Sequence, residues 1–564
     1  MNKHLSSITC CCLLVVGAEV LAEVTATPSG ATTDVNGVLT PQTSDTVEVD
    51  STGGVNVVSI DNDAAENVTV NVRGAAELKP ATPKSAINLG SGAAINILTP
   101  TSILASTISD KQIGTIVIRG ANNSITNYGT IQSAQGLAIQ GNIFNETADG
   151  TVLINIGTIT TISSQTNSVQ LGANAQVNNS GDILFEGGGD HSAVTVSSNS
   201  NVINTGLIEA SEVSLSTVPV GAVFLGNLST LVNNGTIRII GNTNDLAGRG
   251  SAVTTNGSDV SISNAGTIDA SKGGWAITHG KGGQVLIDNA GTIIGGSGGA
   301  MRLTNAEGSV ITLKTGSQIT GDVLVRVVDR LRKTDAELSS QAAINLCNRD
   351  PSRSICFKTV SVLPQNATLE LEGTGTEDDR LTGFNQIVKY DAGAWTLGAD
   401  FQAGSASDSY QTGDFRGTLS INVDDATGQL ILTGNVTDNG DGTTGSLVKN
   451  GNGTLTLSGT STYSGSTAIN AGTLETNGGN AIGNDSAVTV ASGATLSLTS
   501  GETIGSLAGA GSVNLNGQSL RAGGNNTSTT YSGSINGSGS LEKFGTGTLT
   551  LSGTSTYSGS TAIN

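Results

Sequence analysis

Residues 264–293 read NAGTIDASKGGWAITHGKGGQVLIDNAGTI, a stretch that begins and ends with the same five letters. The motif Asn-x-Gly-x-Ile occurs seven times between residues 127 and 293, and its glycines are separated by 28, 24, 25, 29, 31 and 25 residues. A second element of small and apolar residues lies between the copies, for example WAITHG from Trp275. A period of about 25 residues indicates a solenoid, in which each unit buries its apolar face against its neighbours.

One such period has the length of a single coil of a β-helix. Three strands of about four or five residues, with three turns, complete one winding, and coils stack at about 4.8 Å. We therefore predict an all-β fold, a right-handed single-stranded parallel β-helix, or solenoid, with one short helix or loop insertion. The seven motif isoleucines are expected to form one inward ladder: Ile131, Ile159, Ile183, Ile208, Ile237, Ile268 and Ile293.

The other two fixed residues of the motif have predicted roles as well. The asparagine lies two residues before the glycine, at a turn, where its amide can bond to the coil above. The glycine supplies either a positive φ or a close approach of backbones. Burying each isoleucine stabilises the fold by about 1.5–3 kcal/mol, so the ladder is a substantial core without aromatic residues.

Composition agrees with many short strands and tight turns. The 564 residues include 78 glycines, and only 12% of residues are charged. The formal net charge of −20 disfavours binding to nucleic acid or to anionic lipid surfaces, since both are negatively charged.

The N-terminus has the pattern of a secretory signal peptide. Residues 1–22 combine a basic start at Lys3, an apolar run, and the small residues Val20 and Ala22 before a predicted cleavage point. Residues 23–120 are interpreted as an N-terminal cap and the first coils, and residues 121–325 as the coils with the Asn-x-Gly-x-Ile motif. We expect export to the cell surface, the outer membrane or the extracellular space.

Residues 326–375 form a predicted insertion with a different character. Residues 327–346, VVDRLRKTDAELSSQAAINL, show apolar spacing that favours a short helix, and seven of the chain's 25 basic residues lie in 326–358. Cys347 and Cys356 remain after removal of the signal peptide, and in an oxidising compartment they are predicted to form a local disulfide rather than two free thiols. The insertion is interpreted as a solvated excursion, with a docking site for an acidic partner as the alternative.

A second repeat occupies residues 376–564. Residues 453–470, GTLTLSGTSTYSGSTAIN, recur without a change at residues 547–564. Segments around Lys389, Lys449 and Lys543 also align without gaps, as IVKYDAGAWTL, LVKNGNGTLTL and LEKFGTGTLTL. This region resembles the β-strand repeat of bacterial autotransporter passenger domains, in its K-x-G-x-G-T-L-T-L-S-G start, its Tyr-Ser-Gly centre and its A-G-T-L strand.

The resemblance implies a secreted bacterial surface protein with a β-helical passenger and a C-terminal outer-membrane barrel. The sequence departs from that pattern because it shows no barrel strands after the repeats, and we interpret it as a truncated chain. The expected function is an adhesin or surface-interaction rod, with a passive structural stalk as the alternative. Expected partners are surface molecules of host or neighbouring cells, a further copy of the chain in self-association, and the outer-membrane translocation machinery.

Catalytic patterns are present only in weak form. Asp190, His191 and Ser192 are consecutive and so do not converge as a triad. Ser297 lies in a Gly-x-Ser-x-Gly match but is followed by a strand pattern rather than a helix. Acidic residues at 377–379 and 438–441 do not recur at coil spacing. We predict no enzymatic activity, no metal and no cofactor. A polysaccharide-acting or proteolytic β-helix enzyme is the less favoured alternative.

Overall fold

The computed structural model describes most of the chain between residues 23 and 564. The described residues are 23–27, 32–33, 38–51, 56–57, 59–74, 77–78, 85–106, 114–134, 136–141, 150–162, 166–186, 191–211, 220–240, 250–280, 283–304, 306, 308–332, 357–362, 367–403, 417–438 and 444–564. The predicted signal peptide and the cysteine pair lie outside the described residues, so both stay predictions.

The described residues form strands and turns without a helix, and nearly all strands pair in parallel with the corresponding strand of the next coil. The prediction of an all-β parallel β-helix is therefore confirmed, while its right-handed winding stays a prediction. Two compact units are present, the first made of Met1–Lys281, Val285–Met301 and Ile319–Gly321, the second of Gly282–Gln284, Arg302–Gln318 and Asp322–Asn564.

The first unit winds through three sheets, named here 1A, 1B and 1C in the order in which the chain visits them. Sheet 1A contains Glu23–Thr27, Thr46–Ser51, Thr69–Gly74, Ala94–Ile97, Ser124–Asn127, Val152–Asn155, Gln176–Asn179, Asn201–Asn204, Thr230–Asn233, Val260–Asn264 and Val285–Asn289. Sheet 1B contains Asn56–Val57, Glu77–Leu78, Ile103–Ser106, Thr130–Ser133, Thr158–Thr161, Asp182–Phe185, Leu207–Ser211, Thr236–Ile240, Thr267–Asp269 and Thr292–Ile294. Sheet 1C contains Thr32–Thr33, Val38–Thr40, Ser59–Asn62, Ile87–Leu89, Ile116–Ile118, Ile139–Gln140, Val169–Leu171, Val194–Val196, Val220–Leu225, Gly250–Thr255 and Trp275–His279. The strands Gly299–Thr304 and Gln318–Thr320 contain residues of both units.

The predicted isoleucine ladder is present in sheet 1B. The seven motif isoleucines are direct register partners from coil to coil. Each has no solvent-exposed surface. The alternation of buried and half-buried positions in strands such as Thr158–Thr161 shows why the motif isoleucine points inward and its threonine neighbours do not.

The predicted asparagine ladder is present at the ends of the strands of sheet 1A. The Nδ2 atom of each buried asparagine donates to Oδ1 of the asparagine one coil further on, at 2.7–2.8 Å, from Asn127 through Asn289. The same amide also donates to the carbonyl of the motif glycine, as Asn179 does to Gly181 at 3.0 Å. The ladder satisfies polar groups that would otherwise be buried without partners.

The motif glycines are required by a close approach of backbones. A Cβ atom placed on Gly181 would lie 2.0 Å from the carbonyl oxygen of Gly157, and one on Gly235 would lie 2.2 Å from the carbonyl oxygen of Gly206. None of the motif glycines has a positive φ. Of the two explanations that the sequence left open, the close approach is the correct one.

Positive φ values occur instead at a different turn, the one that leads into sheet 1A. Most coils place an asparagine, glycine or serine there, residues that adopt left-handed geometry readily. Asp259, with a φ of 57°, and Leu228, with a φ of 54°, are the exceptions, and Leu228 is 52% exposed.

The second unit also winds through stacked parallel strands. Sheet 2A contains Val310–Leu313, Thr368–Leu371, Gln386–Lys389, Thr418–Val423, Ser446–Asn450, Thr467–Ile469, Ala487–Val490, Ser506–Gly509, Thr529–Tyr531 and Leu549–Leu551. Sheet 2B contains Gly375–Glu377, Gly393–Leu397, Gly428–Leu432, Thr454–Leu457, Thr473–Thr476, Thr495–Leu498, Ser512–Asn514 and Ser534–Asn536. Sheet 2C contains Glu502–Ile504, Ser519–Ala522, Ser540–Lys543 and Thr561–Ile563. Phe401–Ala403 pairs with Val436–Asp438 as a separate two-stranded sheet.

The helix predicted within residues 327–346 is wrong for the part that the structure describes. Residues 327–332 belong to the strand Val323–Arg332, which pairs antiparallel with Phe357–Val362. Val323 and Leu324 already pair in parallel with Leu381 and Thr382. The strand therefore continues an existing one, and its valines suit an extended backbone better than a helical one. We name the paired segments 327–332 and 357–362 the stem.

Candidate functional site

The second unit presents a regular polar surface on sheet 2B. Register partners on successive coils form a column of hydroxyl side chains, and a second column lies two residues further along each strand. The inward leucines and valines between the two columns are fully buried, which fixes the outward positions. The first column consists of Thr454, Thr473, Thr495, Ser512 and Ser534, and the second of Glu475, Ser497, Asn514 and Asn536 after Thr456, which is buried.

These two columns are the candidate functional surface of the unit. Stacked coils repeat at about 4.8 Å, so the hydroxyl groups form a regular array. Glu475 is the one charged residue among the ten positions, although the whole chain carries −20. The β-branched threonines are stiff at χ1, which lowers the entropy lost when such a surface binds a partner. The array can exchange hydrogen bonds in both directions, because hydroxyl groups both donate and accept.

Two of the three lysines that begin copies of the second repeat are part of the core. Lys389 and Lys449 are fully buried. The Nζ atom of Lys449 donates to the carbonyl oxygens of Asn450, Gly451 and Ala471, at 2.7, 2.8 and 3.2 Å. Burial lowers the pKa of Lys449 to about 8. Lys449 thus closes the turn between sheets 2A and 2B and binds the turn of the next coil.

Lys389 closes the same turn in its own coil, whereas Lys543 closes the turn between sheets 2C and 2A. Lys389 donates to the carbonyl oxygen of Asp391 at 2.6 Å and pairs with the carboxylate of the same residue. Lys543 donates to the carbonyl oxygens of Phe544 and Gly545, at 2.6 and 3.0 Å. Sequence reasoning aligned the three lysines without assigning them a role. A buried lysine held by turn carbonyls explains why the aligned position is basic.

The Tyr-Ser-Gly centre of the repeat also contributes to the interior. The Oη atom of Tyr463 lies 2.6 Å from Oγ1 of Thr467, which lies 2.8 Å from Oγ of Ser486 in the next coil. Burial raises the pKa of the Tyr463 hydroxyl above its usual range. The chain of hydroxyl groups therefore stays neutral and links neighbouring coils.

Glu502 stands where sheet 2C begins. Its side chain is 2% exposed and accepts hydrogen bonds from the backbone amides of Ala481 and Ile482, at 3.1 and 3.4 Å. Burial raises the pKa of Glu502 to about 7. The carboxylate accepts hydrogen bonds from a loop of the preceding coil, which has no strand beside Glu502–Ile504. Sequence reasoning missed Glu502 because it lies outside the repeated motifs.

The two identical 18-residue segments occupy different sides of the second unit. In residues 453–470 the strands Thr454–Leu457 and Thr467–Ile469 belong to sheets 2B and 2A. In residues 547–564 the strands Leu549–Leu551 and Thr561–Ile563 belong to sheets 2A and 2C. The Tyr557–Thr561 hydroxyl contact of 2.6 Å reproduces that of Tyr463 and Thr467. Local sequence thus sets the conformation of a segment, while the coils between the copies set the side on which it lies.

Ser297, considered above for catalysis, and the buried histidine His279 each contact the preceding coil. The Oγ atom of Ser297 donates to the carbonyl oxygen of Gly273 at 3.3 Å, and the strand Gly299–Thr304 follows, as the sequence indicated. His279 is 2% exposed, and its Nδ1 atom lies 2.7 Å from Oγ1 of Thr255. Burial lowers the pKa of His279 to about 4, so the ring is neutral at pH 7. Asp190 lies outside the described residues.

The acidic positions considered for a metal are tied to neighbouring backbone. Asp438 accepts hydrogen bonds from the backbone amides of Gly445 and Ser464, at 2.6 and 3.0 Å. Glu377 is buried and accepts the backbone amide of Asp379 at 3.0 Å. Within the described part of the chain, no group of three or more histidine, cysteine, aspartate or glutamate side chains is arranged to hold a metal ion. In the same part, no helix has the length and apolar character needed to cross a membrane.

Comparison with known proteins agrees with the repeat of the second unit. Residues 447–475 and 541–564 match the family described as Passenger-associated-transport-repeat. The chain is 38% identical over 156 residues to the adhesin BmaC autotransporter of Brucella suis biovar 1 (strain 1330), a match that covers 26% of this chain and 4% of that protein. No solved structure matches the chain. The chain thus carries repeats of an autotransporter passenger, and the resemblance predicted from the sequence is confirmed.

Proposed function

We propose that this chain is exposed on the bacterial surface as an autotransporter passenger and acts there in adhesion. The observation that carries the proposal is the similarity to a protein named as an autotransporter adhesin. The two polar columns of sheet 2B support it, because a long regular array allows many weak contacts with one partner. Export by the predicted signal peptide would deliver the passenger to the surface.

Display of the chain on a non-adherent bacterium tests this proposal. Residues 23–564 would be joined to the membrane barrel of an unrelated autotransporter, and attachment to cultured epithelial cells would be counted. We expect attachment well above that of bacteria displaying the barrel alone. Equal attachment, with the passenger detected on the surface by antibody, would favour the alternative of a passive stalk and overturn the proposal.

A matched pair of variants tests the role of sheet 2B. Replacing Thr473 and Thr495 by lysine puts two charges on outward, half-buried positions between buried leucines. Replacing Thr489 by lysine changes an exposed position of sheet 2A in the same coils. We expect the first variant to attach less and the second to attach like the unchanged chain. A similar loss in both would show that sheet 2B is not the contacting surface.

The proposed adhesin acts without enzymatic activity. Ser297 and His279 each bond to a residue of the preceding coil, which supports this part of the proposal. Hydrolysis of a peptide or polysaccharide by purified residues 23–564, lost on replacing Ser297 or His191 by alanine, would contradict it.

A further inference from the structure

Seven pairs of residues in the described part of the chain are asparagine followed by glycine, a pair that reacts without an enzyme. The backbone nitrogen of the glycine attacks the side-chain carbon Cγ of the asparagine, which releases ammonia and closes a succinimide ring. Water then opens the ring to aspartate or to isoaspartate. Glycine favours the attack because it has no Cβ to hinder it. The pairs begin at Asn234, Asn256, Asn450, Asn452, Asn477, Asn516 and Asn536.

Two of these pairs are held by the backbone ladder. The nitrogen of Gly235 donates to the carbonyl oxygen of Asn204 at 3.1 Å, and that of Gly453 donates to the carbonyl oxygen of Val423 at 2.8 Å. A nitrogen that donates such a bond must leave its acceptor before it reaches the asparagine side chain, and that step costs free energy. Both pairs are therefore protected, although their asparagines are exposed.

Four further pairs are held by side-chain hydrogen bonds or by burial. The Nδ2 atoms of Asn450, Asn516 and Asn536 donate to hydroxyl groups, at 3.1–3.3 Å. Those bonds fix the side-chain amide, so Cγ does not turn freely toward the next nitrogen. In the fourth pair Gly257 is buried, and a Cβ atom placed on it would lie 2.2 Å from Oδ1 of Asn227. Little room remains there for the ring to close.

The pair Asn477–Gly478 is the least restrained of the seven. Asn477 is exposed, and its side chain makes one hydrogen bond within the described structure, from Oγ1 of Thr499 to Oδ1 at 3.2 Å. The same hydroxyl lies closer to the carbonyl oxygen of Thr476, at 2.8 Å, so it holds Asn477 weakly. The nitrogen of Gly478 donates no hydrogen bond to any described residue. Gly479 follows, where even an added Cβ atom would lie 3.6 Å from its nearest neighbour, so the chain has room to turn.

We propose that Asn477 is a site of spontaneous modification, at which the chain converts its own asparagine to aspartate and isoaspartate. The bond between the Gly478 nitrogen and Cγ forms as the bond between Cγ and Nδ2 breaks, and the proton of the Gly478 amide leaves with the ammonia. One water molecule supplies the oxygen and the hydrogens when the ring opens. The reaction consumes nothing else, and the inference does not rest on the proposed function in adhesion.

The product changes sheet 2B in charge and in backbone length. Asn477 lies two residues beyond Glu475, so the new carboxylate adds a negative charge beside the polar column that contains Glu475. Isoaspartate also adds one carbon atom to the main chain, between the strand Thr473–Thr476 and the loop whose amides bind Glu502. Both the surface and the loop below it are therefore altered by one reaction.

The test follows the conversion of each pair by peptide mass spectrometry, during incubation of purified residues 23–564 at neutral pH. Asn452 is the matched control within the same chain, because it is also exposed but precedes a bonded glycine nitrogen. We expect Asn477 to convert about tenfold faster than Asn452 in the folded chain, the factor that one backbone hydrogen bond supplies. In urea, which removes that bond, the two rates should become similar.

Equal rates at Asn477 and Asn452 in the folded chain, or conversion of Asn477 only in urea, would overturn the inference. A rate at Asn477 that does not rise with pH would also overturn it, since the attacking nitrogen must lose its proton. An Asn477→Gln variant should lack the product at that position, and an Asn452→Gln variant should retain it. Enzymatic methylation of isoaspartate gives a second readout that is independent of the mass change.

Discussion

Asn233 offers the sharpest test of the asparagine ladder. Its Nδ2 atom donates to Oδ1 of Asn264 at 2.8 Å, and its own Oδ1 atom accepts from Asn204 at 2.8 Å. The residue is fully buried. Replacing it by alanine removes both ladder bonds and leaves the Oδ1 atom of Asn264 without that donor.

The expected loss follows from these contacts. Each buried hydrogen bond contributes about 1 kcal/mol net, and an acceptor left without a donor costs about 1–3 kcal/mol more. We therefore expect Asn233→Ala to destabilise its coils by about 3 kcal/mol. The adjacent Asn234 is exposed at the same turn, so Asn234→Ala is a matched control that should change stability by less than about 0.5 kcal/mol.

Native-state hydrogen exchange is the suitable assay, because a solenoid need not unfold in one step. A loss of about 3 kcal/mol corresponds to roughly a hundredfold loss of protection. We expect it in peptides that cover residues 230–268 of the Asn233→Ala variant. Similar protection in the two variants would refute the reasoning, since only one of the two side chains belongs to the ladder.

Three further predictions concern backbone geometry and pH. Gly235→Ala should destabilise its coil more than Gly493→Ala destabilises its own. At Gly235 the new Cβ atom would lie 2.2 Å from a carbonyl oxygen, whereas at Gly493 only the φ of 85° opposes the substitution, at a cost of about 1 kcal/mol. Equal hydrogen-exchange protection in the two variants would contradict this prediction. Leu228→Asn should stabilise its coil by about 1 kcal/mol, because asparagine tolerates a φ of 54° better than leucine does, and slower exchange in residues 220–240 would confirm it. Burial raises the pKa of Glu502 from 4.5 to about 7, so the contribution of Glu502 to the stability of the second unit should be complete below pH 4.5 and should fall by about 3 kcal/mol as the pH rises through 7. Urea unfolding followed by the fluorescence of Trp395, in a chain that lacks the other tryptophan, should show that loss, and Glu502→Gln should abolish it.

The repeating part of the fold could be predicted from the sequence because equivalent positions of successive coils have the same structural role. Ile183 and Ile208 lie at the same point of successive windings, and so do Asn179 and Asn204. A residue that meets its own equivalent above and below is under the same constraint in every coil. Periodicity therefore reveals both ladders, even where the coils differ in length.

The features that could not be predicted depend on contacts between residues far apart in the chain, or on the summed length of several coils. The spacing of apolar residues in 327–332 fits a helix, and the strand that pairs with them, residues 357–362, follows only after residues 333–356, so local sequence does not identify it. Glu502 satisfies amides that local sequence does not identify as unpaired.

The sheets to which the two identical segments belong depend on the length of the chain between them. Residues 453–470 and 547–564 share the tyrosine–threonine hydroxyl contact, but the coils between them vary, and their strands lie in different sheets. Only the summed length of those coils determines which surface a repeat presents, and composition carries no signal of it.

Stacking of successive coils in register is the central claim, and spin labels on sheet 2B test it most directly. Thr473 and Thr495 are register partners on adjacent coils, about 4.8 Å apart, whereas Thr473 and Ser534 are three coils apart, at about 14 Å. With both native mature cysteines replaced by serine, labelled cysteines at the first pair should give strong dipolar broadening in electron paramagnetic resonance, and the second pair much weaker broadening. Equal broadening in the two pairs would contradict the stacked parallel coils.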